Sequence, residues 1–268
     1  MGEARRDAGG ADELSASLPP LSARPLVLAT DLDGTFLGGS NEDRARLYAW
    51  IEARRADVGL IFVTGRDPAF IQELTRDRGS PRPDFVVGDV GTTIASVAED
   101  HLPRPIPELE AEIAAAWRDA GPAVRAALDD APGLSVQSTD FRYRVSYDMD
   151  SSTFDARATR IVEDMGLDVL ISDNRFFDVL PRGVSKGPSL RRLLRHLGVE
   201  DRYCLAAGDT LNDLSMLALG LPAVAVGGAE PRLLERLDGL DHVYVAGGHG
   251  AAGIEEAIRA FGFLEEAT

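Results

Sequence analysis

Cysteine is nearly absent from this sequence. Cys204 is the only one among 268 residues, so no intrachain disulfide can form. It stands inside Tyr203-Cys204-Leu205-Ala206-Ala207, where a small buried hydrophobe is expected rather than a nucleophile. A chain without disulfides suits a reducing cytoplasm, which is the expected location. No apolar run approaches the length of a membrane span. Met1 to Arg24 mixes charge with Gly, Ala, Ser and Pro, which is not the pattern of a signal peptide, and residues 1–24 are read as a disordered leader. Positive charge is also short: 28 Lys and Arg stand against 44 Asp and Glu, a net charge of −16. That balance argues against non-specific binding to nucleic acid or to an anionic membrane. His101, His196, His242 and His249 show no metal-ligand spacing, and there is no internal repeat.

What is present is concentrated at the ends of short apolar runs. Pro25 to Thr30 reads as a buried strand, and Asp31-Leu32-Asp33-Gly34-Thr35 leaves its end. In an open α/β sheet, ligands bind outside the carboxyl ends of the strands. Two acids placed there are costly unless they meet a cation or a proton to transfer.

Strands and helices then alternate. Asn41 is expected to cap a helix to about Arg55, and Leu60–Val63 forms a second strand. Asp67 caps a helix that Gly79 stops, and Phe85–Gly88 is a third strand. This βαβαβ rhythm predicts a doubly wound, mostly parallel sheet. The middle differs. Pro103, Pro105 and Pro107 read as a stiff connector, followed by helices near 108–120 and 122–130, with Ile113 and Trp117 on a common face. Strands Leu134–Ser138 and Tyr143–Tyr147, a helix over Thr153–Met165, and a hairpin of Val169–Ser172 and Phe176–Leu180 come next. Residues 102–181 are therefore expected to form an inserted α+β domain, with 25–101 and 182–268 forming the core. The βα rhythm resumes with a helix begun by Ser185, a strand at Tyr203–Ala207, and later elements at Pro222–Val226, Pro231–Leu237, Val243–Val245 and Ile254–Phe261.

Three more polar clusters fall at the same sheet edge. Thr64-Gly65-Arg66 ends the second strand, where a hydroxyl and exposed amides can grip a phosphate oxygen. Lys186 lies just inside a helix N-terminus, which opposes the helix dipole unless an anion sits beside it. Gly208-Asp209-Thr210-Leu211-Asn212-Asp213 carries two acids four apart with an amide between. A helix cap needs one such residue, whereas three suit Mg²⁺.

Together these motifs resemble the haloacid dehalogenase-like hydrolase superfamily, with Asp31 to Thr35 as its first motif, Thr64 its second, Lys186 its third and Asp209 to Asp213 its fourth. The gap of 122 residues between Thr64 and Lys186, against 23 between Lys186 and Asp209, is similar to the Cof-like branch with an α+β cap. Phe85 to Thr92, Arg144 to Tyr147 and Asp178 to Gly187 resemble the sucrose-phosphate phosphatase-like group. Asp173-Asn174-Arg175 departs from the small Gly-rich residues of plant and cyanobacterial sucrose phosphatases.

The resemblance implies a Mg²⁺-dependent phosphatase acting on a small-molecule sugar phosphate, with sucrose-, mannosylfructose- or glucosylglycerol-phosphate-type substrates foremost; a phosphomutase, or a phosphatase of another small metabolite, is the alternative. It implies Asp31 as nucleophile, Asp33 as its proton partner, and Gly34, Thr64, Gly65 and Lys186 around the phosphoryl oxygens. It implies a metal on Asp31, the Asp33 carbonyl and Asp209, supported by Asn212 and Asp213. Arg142, Arg144, Asn174, Asp178 and Arg182 are the polar cap residues expected to read the sugar. A monomer is slightly favoured.

Overall fold

The computed structural model describes residues 18–139 and 141–264. In the first half of the chain, β1 (Leu26–Thr30), α1 (Asn41–Glu52), β2 (Val58–Val63), α2 (Pro68–Asp77) and β3 (Phe85–Gly88) alternate, and β4 (Thr93–Val97) and β5 (Pro103–Pro105) follow. The second half resumes with α6 (Lys186–Leu197), β10 (Cys204–Gly208), α7 (Leu214–Leu217), β11 (Ala223–Gly227), α8 (Pro231–Leu237), β12 (Val243–His249) and α9 (Ala251–Ala260). These strands form one sheet in the order β12-β11-β10-β1-β2-β3-β4-β5. Pairing is parallel from β12 to β3 and antiparallel across β3-β4-β5.

The apolar runs of the central strands follow from burial on both faces. In β1, Val27 and Ala29 join one hydrophobic cluster, while Leu26 and Leu28 join the other. In β2, Ile61 and Val63 go to the first cluster and Leu60 and Phe62 to the second. The first cluster is completed by Leu190, Leu193 and Leu194 of α6 and by Leu233 of α8; the second by Leu47 and Ile51 of α1 and by Ile254 and Ile258 of α9. Helices thus cover both faces, as the alternating rhythm predicts.

Between β5 and α6 lie α3 (Pro107–Trp117), α4 (Gly121–Ala127), β6 (Leu134–Val136), β7 (Val145–Met149), α5 (Arg157–Asp164), β8 (Leu167–Ser172) and β9 (Phe176–Pro181). Their four strands form an antiparallel sheet in the order β6-β7-β9-β8, with a core of its own around Trp117, Tyr147, Val162 and Phe177. Asp173 and Asn174, with φ of 54° and 50°, make the tight turn of the β8–β9 hairpin. Two positive φ values match the twist of the flanking strands, and Asp and Asn tolerate them.

Several sequence expectations shift. The leader read as ending at residue 24 does not include its last residues: Leu21–Ala23 form a short 3-10 turn and Leu21 is buried. The Arg24 guanidinium there lies 3.2 Å from Asp84 and donates to the Val58 carbonyl. Residues 1–17 fall outside the described residues. The proline connector is partly a strand. Pro103 and Pro105 tolerate the missing N–H because β5 is the sheet edge, which moves the start of the inserted unit past residue 105. The cap of α1 is Ser40, not Asn41; its hydroxyl accepts from Asp43 N, and the Asp43 carboxylate accepts from Ser40 N in return. Ile113 and Trp117 serve different cores, Ile113 the main one and Trp117 that of the second sheet, so α3 ties the two together. The helix expected from Thr153 begins at Arg157, because the Asp150 carboxylate accepts from Ser152 N and holds a turn there.

Candidate active site

Register brings the acids together. β1 and β10 pair in parallel with Thr30 opposite Ala207, and Asp31 N donates to the Ala207 carbonyl at 2.9 Å. The loops leaving these two strands therefore start side by side. Gly34 has φ of +84°, and a Cβ there would lie 2.2 Å from Asp209 Oδ2, so the first loop closes on the second only with glycine at this point. Thr35 Oγ1 donates to Asp209 Oδ1 at 2.6 Å.

Lys186, the chain's only lysine, is 1% exposed. Its ammonium reaches Asp31 Oδ1 at 2.7 Å, Asp213 Oδ1 at 2.6 Å and Asn212 Oδ1 at 2.8 Å, which uses all three of its donors. Its cost at the start of α6 is offset by two carboxylates. Burial pulls the Lys186 ammonium down, but Asp213 and Asp31 outweigh it and hold the group above its usual range. Ser185 occupies the N-cap position without capping; its hydroxyl lies 3.4 Å from Ser215 Oγ.

Asp213 is shared. Its second oxygen accepts from the backbone N–H groups of Asp209 and Thr210, both at 3.0 Å, and so shapes the loop it closes. Carboxylate oxygens of Asp31, Asp209 and Asp213 lie within 4.8 Å of one another. Burial pushes the Asp31 carboxyl up to about 8 against the pull of Lys186, and the Asp209 carboxyl up to about 6. One ammonium does not balance three converging acids. The oxygen-only donor set and the amide of Asn212 fit a small hard divalent cation.

The end of β2 supplies a different surface. Thr64 is 1% exposed, its backbone N–H donates to the Val87 carbonyl, and its hydroxyl accepts from Arg66 N at 3.1 Å. Arg66 then reaches back to Asp33 with two bonds, Nε to Oδ2 at 2.9 Å and Nη2 to Oδ1 at 3.0 Å. The Asp33 carboxylate is thus engaged by Arg66 and is not one of the three converging acids.

Asp89, Val90 and Gly91 follow β3 with φ of 51°, 61° and 105°. A β-branched residue in that region is strained. The loop is held by docking onto α6: Ser189 Oγ donates to the Gly91 carbonyl at 2.7 Å, and a Cβ at Gly91 would lie 2.5 Å from the Ser185 carbonyl. Asp89 faces the second sheet, where Arg144 of the 141–144 segment donates to Asp178 Oδ1 at 3.2 Å and approaches Asp89 Oδ1 at 3.8 Å. Burial pushes the Asp178 and Asp89 carboxyls up and the Arg144 guanidinium down. Arg144 Nε and Asp89 Oδ1 are buried without a hydrogen-bond partner among the described residues.

Between the two sheets lies a cavity of about 560 Å³, inside the usual range of roughly 300–1,000 Å³ for small-molecule sites. One wall carries Asp31, Asp33, Gly65, Arg66, Lys186 and Asn212; the other carries Gln137, Arg144, Ser172, Asp173, Phe176 and Asp178. Of the sequence candidates, Gly34, Thr64, Asp209 and Asp213 adjoin this wall without lining the cavity. Of the five polar cap candidates, Arg144 and Asp178 line it. Arg142 does not: it pairs with Glu110 beside Tyr143. Asn174 is spent on the exposed hairpin turn, and Arg182 is exposed outside the lining. Arg66 and Asp89 lie inside stretches singled out in the sequence, Thr64-Gly65-Arg66 and Phe85 to Thr92, but residue type alone assigns neither side chain a role. Gln137 and Ser172 carry no signal beyond their place at strand ends.

The profile of the sucrose-6F-phosphate phosphohydrolase family matches residues 24–262. A glucosylglycerol-phosphate synthase of Pseudomonas anguilliseptica is 40% identical over 240 residues, 89% of this chain and 31% of that protein. A mannosylfructose-phosphate phosphatase of Agrobacterium fabrum is 25% identical over 262 residues, 89% of this chain and 98% of that protein. The first curated relatives are longer, and the chain spans between 31% and 60% of their length. Among solved structures, the sucrose-phosphatase of Synechocystis sp., in complex with sucrose and phosphate, superposes with a TM-score of 0.80 at 28% identity, covering 90% of this chain and 100% of that one.

Proposed function

From the premise that this chain belongs to the sucrose-6F-phosphate phosphohydrolase family of haloacid dehalogenase-like hydrolases, we propose that it hydrolyses a phosphorylated disaccharide or glycoside. The observation that carries this reading is the shared cavity. Asp31 and Lys186 lie on one wall, and Arg144 and Asp178 on the opposite one.

Asp31 is the nucleophile. Its Oδ forms a bond to phosphorus as the ester bond breaks, and the electron pair of that bond goes to the leaving sugar oxygen. Asp33 gives that oxygen a proton, then takes one from the water that opens the aspartyl phosphate. Lys186 holds Asp31 in place and offsets phosphoryl charge, while the Thr64 hydroxyl and the amides of Gly34 and Gly65 receive phosphoryl oxygens. Asp31, the backbone carbonyl of Asp33 and Asp209 would hold Mg²⁺, with Asn212 and Asp213 in support. Mg²⁺, when bound, supplies charge neutralisation at the phosphoryl group.

Residues from about 106 to 181 act as a cap over this chemistry. Arg144 and Asp178 read sugar hydroxyls, as a donor fork and an acceptor set side by side. Gln137 and Ser172 extend this polar wall, and Phe176 offers an apolar surface to a sugar ring. The relatives named above point to sucrose-, mannosylfructose- and glucosylglycerol-phosphate as the compounds to try first. A phosphate-release screen over sugar and glycoside phosphates with Mg²⁺ tests the proposal. Release from a disaccharide or glycoside phosphate well above that from monosaccharide phosphates supports it. No release, or phosphoryl return to a second position on the sugar, sinks it.

A further inference from the structure

One polar contact in the cavity is not used by the chemistry above. Asp33 is half-exposed and sits on the loop after β1. Among the described residues its carboxylate takes side-chain hydrogen bonds only from Arg66, at 2.9 and 3.0 Å. A carboxylate on such a loop has several rotamers open to it. A proton partner, however, must come within roughly 2.6–3.2 Å of the oxygen it serves. Something must choose among those rotamers.

Arg66 is built for that choice. Its backbone is pinned on both sides: its N–H donates to Thr64 Oγ1 at 3.1 Å, and its carbonyl accepts from Asp89 N at 3.1 Å. Its guanidinium lies 4.7 Å from the centre of the Phe70 ring on α2, and Arg78 sits 5.6 Å from that same ring. The arm is thus fixed at its base by two strand ends and supported along its length by an aromatic face. The head meets Asp33 as a fork on a fork, which sets direction as well as distance. An ion pair this exposed adds little to stability, so fold maintenance is a poor explanation for it. The grip also leaves lone pairs on both Asp33 oxygens.

We propose that Arg66 is the positioning residue for Asp33, fixing the direction from which its carboxyl meets the leaving oxygen. This rests on the reading of Asp33 as proton partner. The step served is the first one: the bond from Asp31 Oδ to phosphorus forms, the ester P–O bond breaks with its electron pair on the leaving oxygen, and the Asp33 proton passes to that oxygen. A poor leaving group needs that proton; a stable anion such as p-nitrophenolate does not.

The test is leaving-group dependence. Wild type, Arg66→Met, Arg66→Lys and Asp33→Ala are assayed with Mg²⁺ on aryl phosphates running from p-nitrophenyl to phenyl and p-methoxyphenyl phosphate, and kcat/KM is plotted against leaving-group pKa. Thermal melting checks that each variant is folded. General acid assistance is worth on the order of 10²–10⁴ in rate. Arg66→Met is therefore expected to lose about tenfold or more on phenyl phosphate and about threefold or less on p-nitrophenyl phosphate. Arg66→Lys should behave in the same way, because an ammonium keeps the charge but not the fork. An equal loss on every ester overturns the proposal, since it marks a phosphate contact. A wild-type slope for Arg66→Lys overturns it too, since charge alone would then suffice. If Asp33→Ala itself shows no steepened slope, the proton role of Asp33 has failed and takes this inference with it. If Asp33→Ala steepens while Arg66→Met runs parallel to wild type, only the positioning role has failed.

Discussion

The ammonium of Lys186 and the carboxylate of Asp31 lie 2.7 Å apart across 155 residues of sequence. The whole second sheet is inserted between them. The contact, 1% exposed at the lysine side chain, joins the two separated stretches of the main sheet at the point where the acids converge. Removing Lys186 leaves Asp31 and Asp213 buried without their cation. Lys186→Met is expected to cost about 3–5 kcal/mol, the usual scale for breaking a buried pair. It is also expected to abolish phosphate release. Urea unfolding and a phosphate assay check the two effects separately. A stability loss below about 1 kcal/mol would show that the lysine is not holding the acids.

Because Lys186 is the only lysine, its burial has a simple readout. An amine-reactive label, mapped by mass spectrometry, should spare Lys186 in the folded protein and modify it after unfolding. Rapid labelling of the folded protein would contradict the enclosed three-way contact.

Burial raises the Asp31 carboxyl from its ordinary 3.8 to about 8, and the Asp209 carboxyl to about 6. An acid whose pKa is raised by folding binds more protons folded than unfolded, so its contribution is present below about pH 4 and lost as pH rises through the folded value. These two groups should therefore make the metal-free protein less stable between about pH 4 and pH 8. A divalent cation binds their ionised forms, so Mg²⁺ should raise Tm more at pH 8 than at pH 5. Melting curves with Mg²⁺ and with EDTA at both pH values check this; an equal shift at both contradicts it. Activity undiminished in EDTA would also contradict the metal assignment.

Glycine positions separate site geometry from backbone strain. Gly34→Ala places a Cβ 2.2 Å from Asp209 Oδ2, whereas Gly79 and Gly183, at φ of +70°, have nothing within 4 Å. Alanine at either control position should cost about 1–2 kcal/mol, the price of left-handed backbone. Gly34→Ala should cost more and weaken the Mg²⁺ dependence of Tm as well. If it matches the controls in both, the approach of the first loop to Asp209 is not tight.

Arg144→Ala removes the donor fork of the cap wall. It should raise KM for a glycoside phosphate about tenfold or more, the scale of a lost charged hydrogen bond. KM for p-nitrophenyl phosphate, which carries no sugar, should change little. Equal effects on both would assign Arg144 to structure.

Much of this was legible in the chain. The runs at residues 25–30, 60–63 and 203–207 mark strands buried on both faces, and the acids at their ends mark the sheet edge. The β4–β5 hairpin was not legible, because prolines argue against a strand until the strand is known to be an edge. Ser40 and Asn41 are both capping residue types, and the reciprocal bonds of Ser40-x-x-Asp43 decide between them only in the folded chain. Residues 21–24 have leader-like composition, and their order comes from Asp84, 60 residues further along. In the site, residue type singles out Asp31, Lys186, Asp209 and Asp213, and the fold brings these four side chains together. It could not separate Arg144 from Arg142, since both are arginines on one segment and only the packed structure turns one to the cavity and the other to Glu110. The bond from Arg66 to Asp33 depends on where two loops point, and spacing does not encode that.

Asp31 is expected to become covalently phosphorylated during turnover. The direct measurement is to quench the enzyme during turnover of its best phosphate ester, reduce with borohydride and sequence the peptides by mass spectrometry. An aspartyl phosphate is reduced to homoserine, so homoserine is expected at position 31 in wild type and none in Asp31→Asn, which should also lose at least about a thousandfold in phosphate release. Reduction at another residue, or near wild-type release from Asp31→Asn, would contradict it.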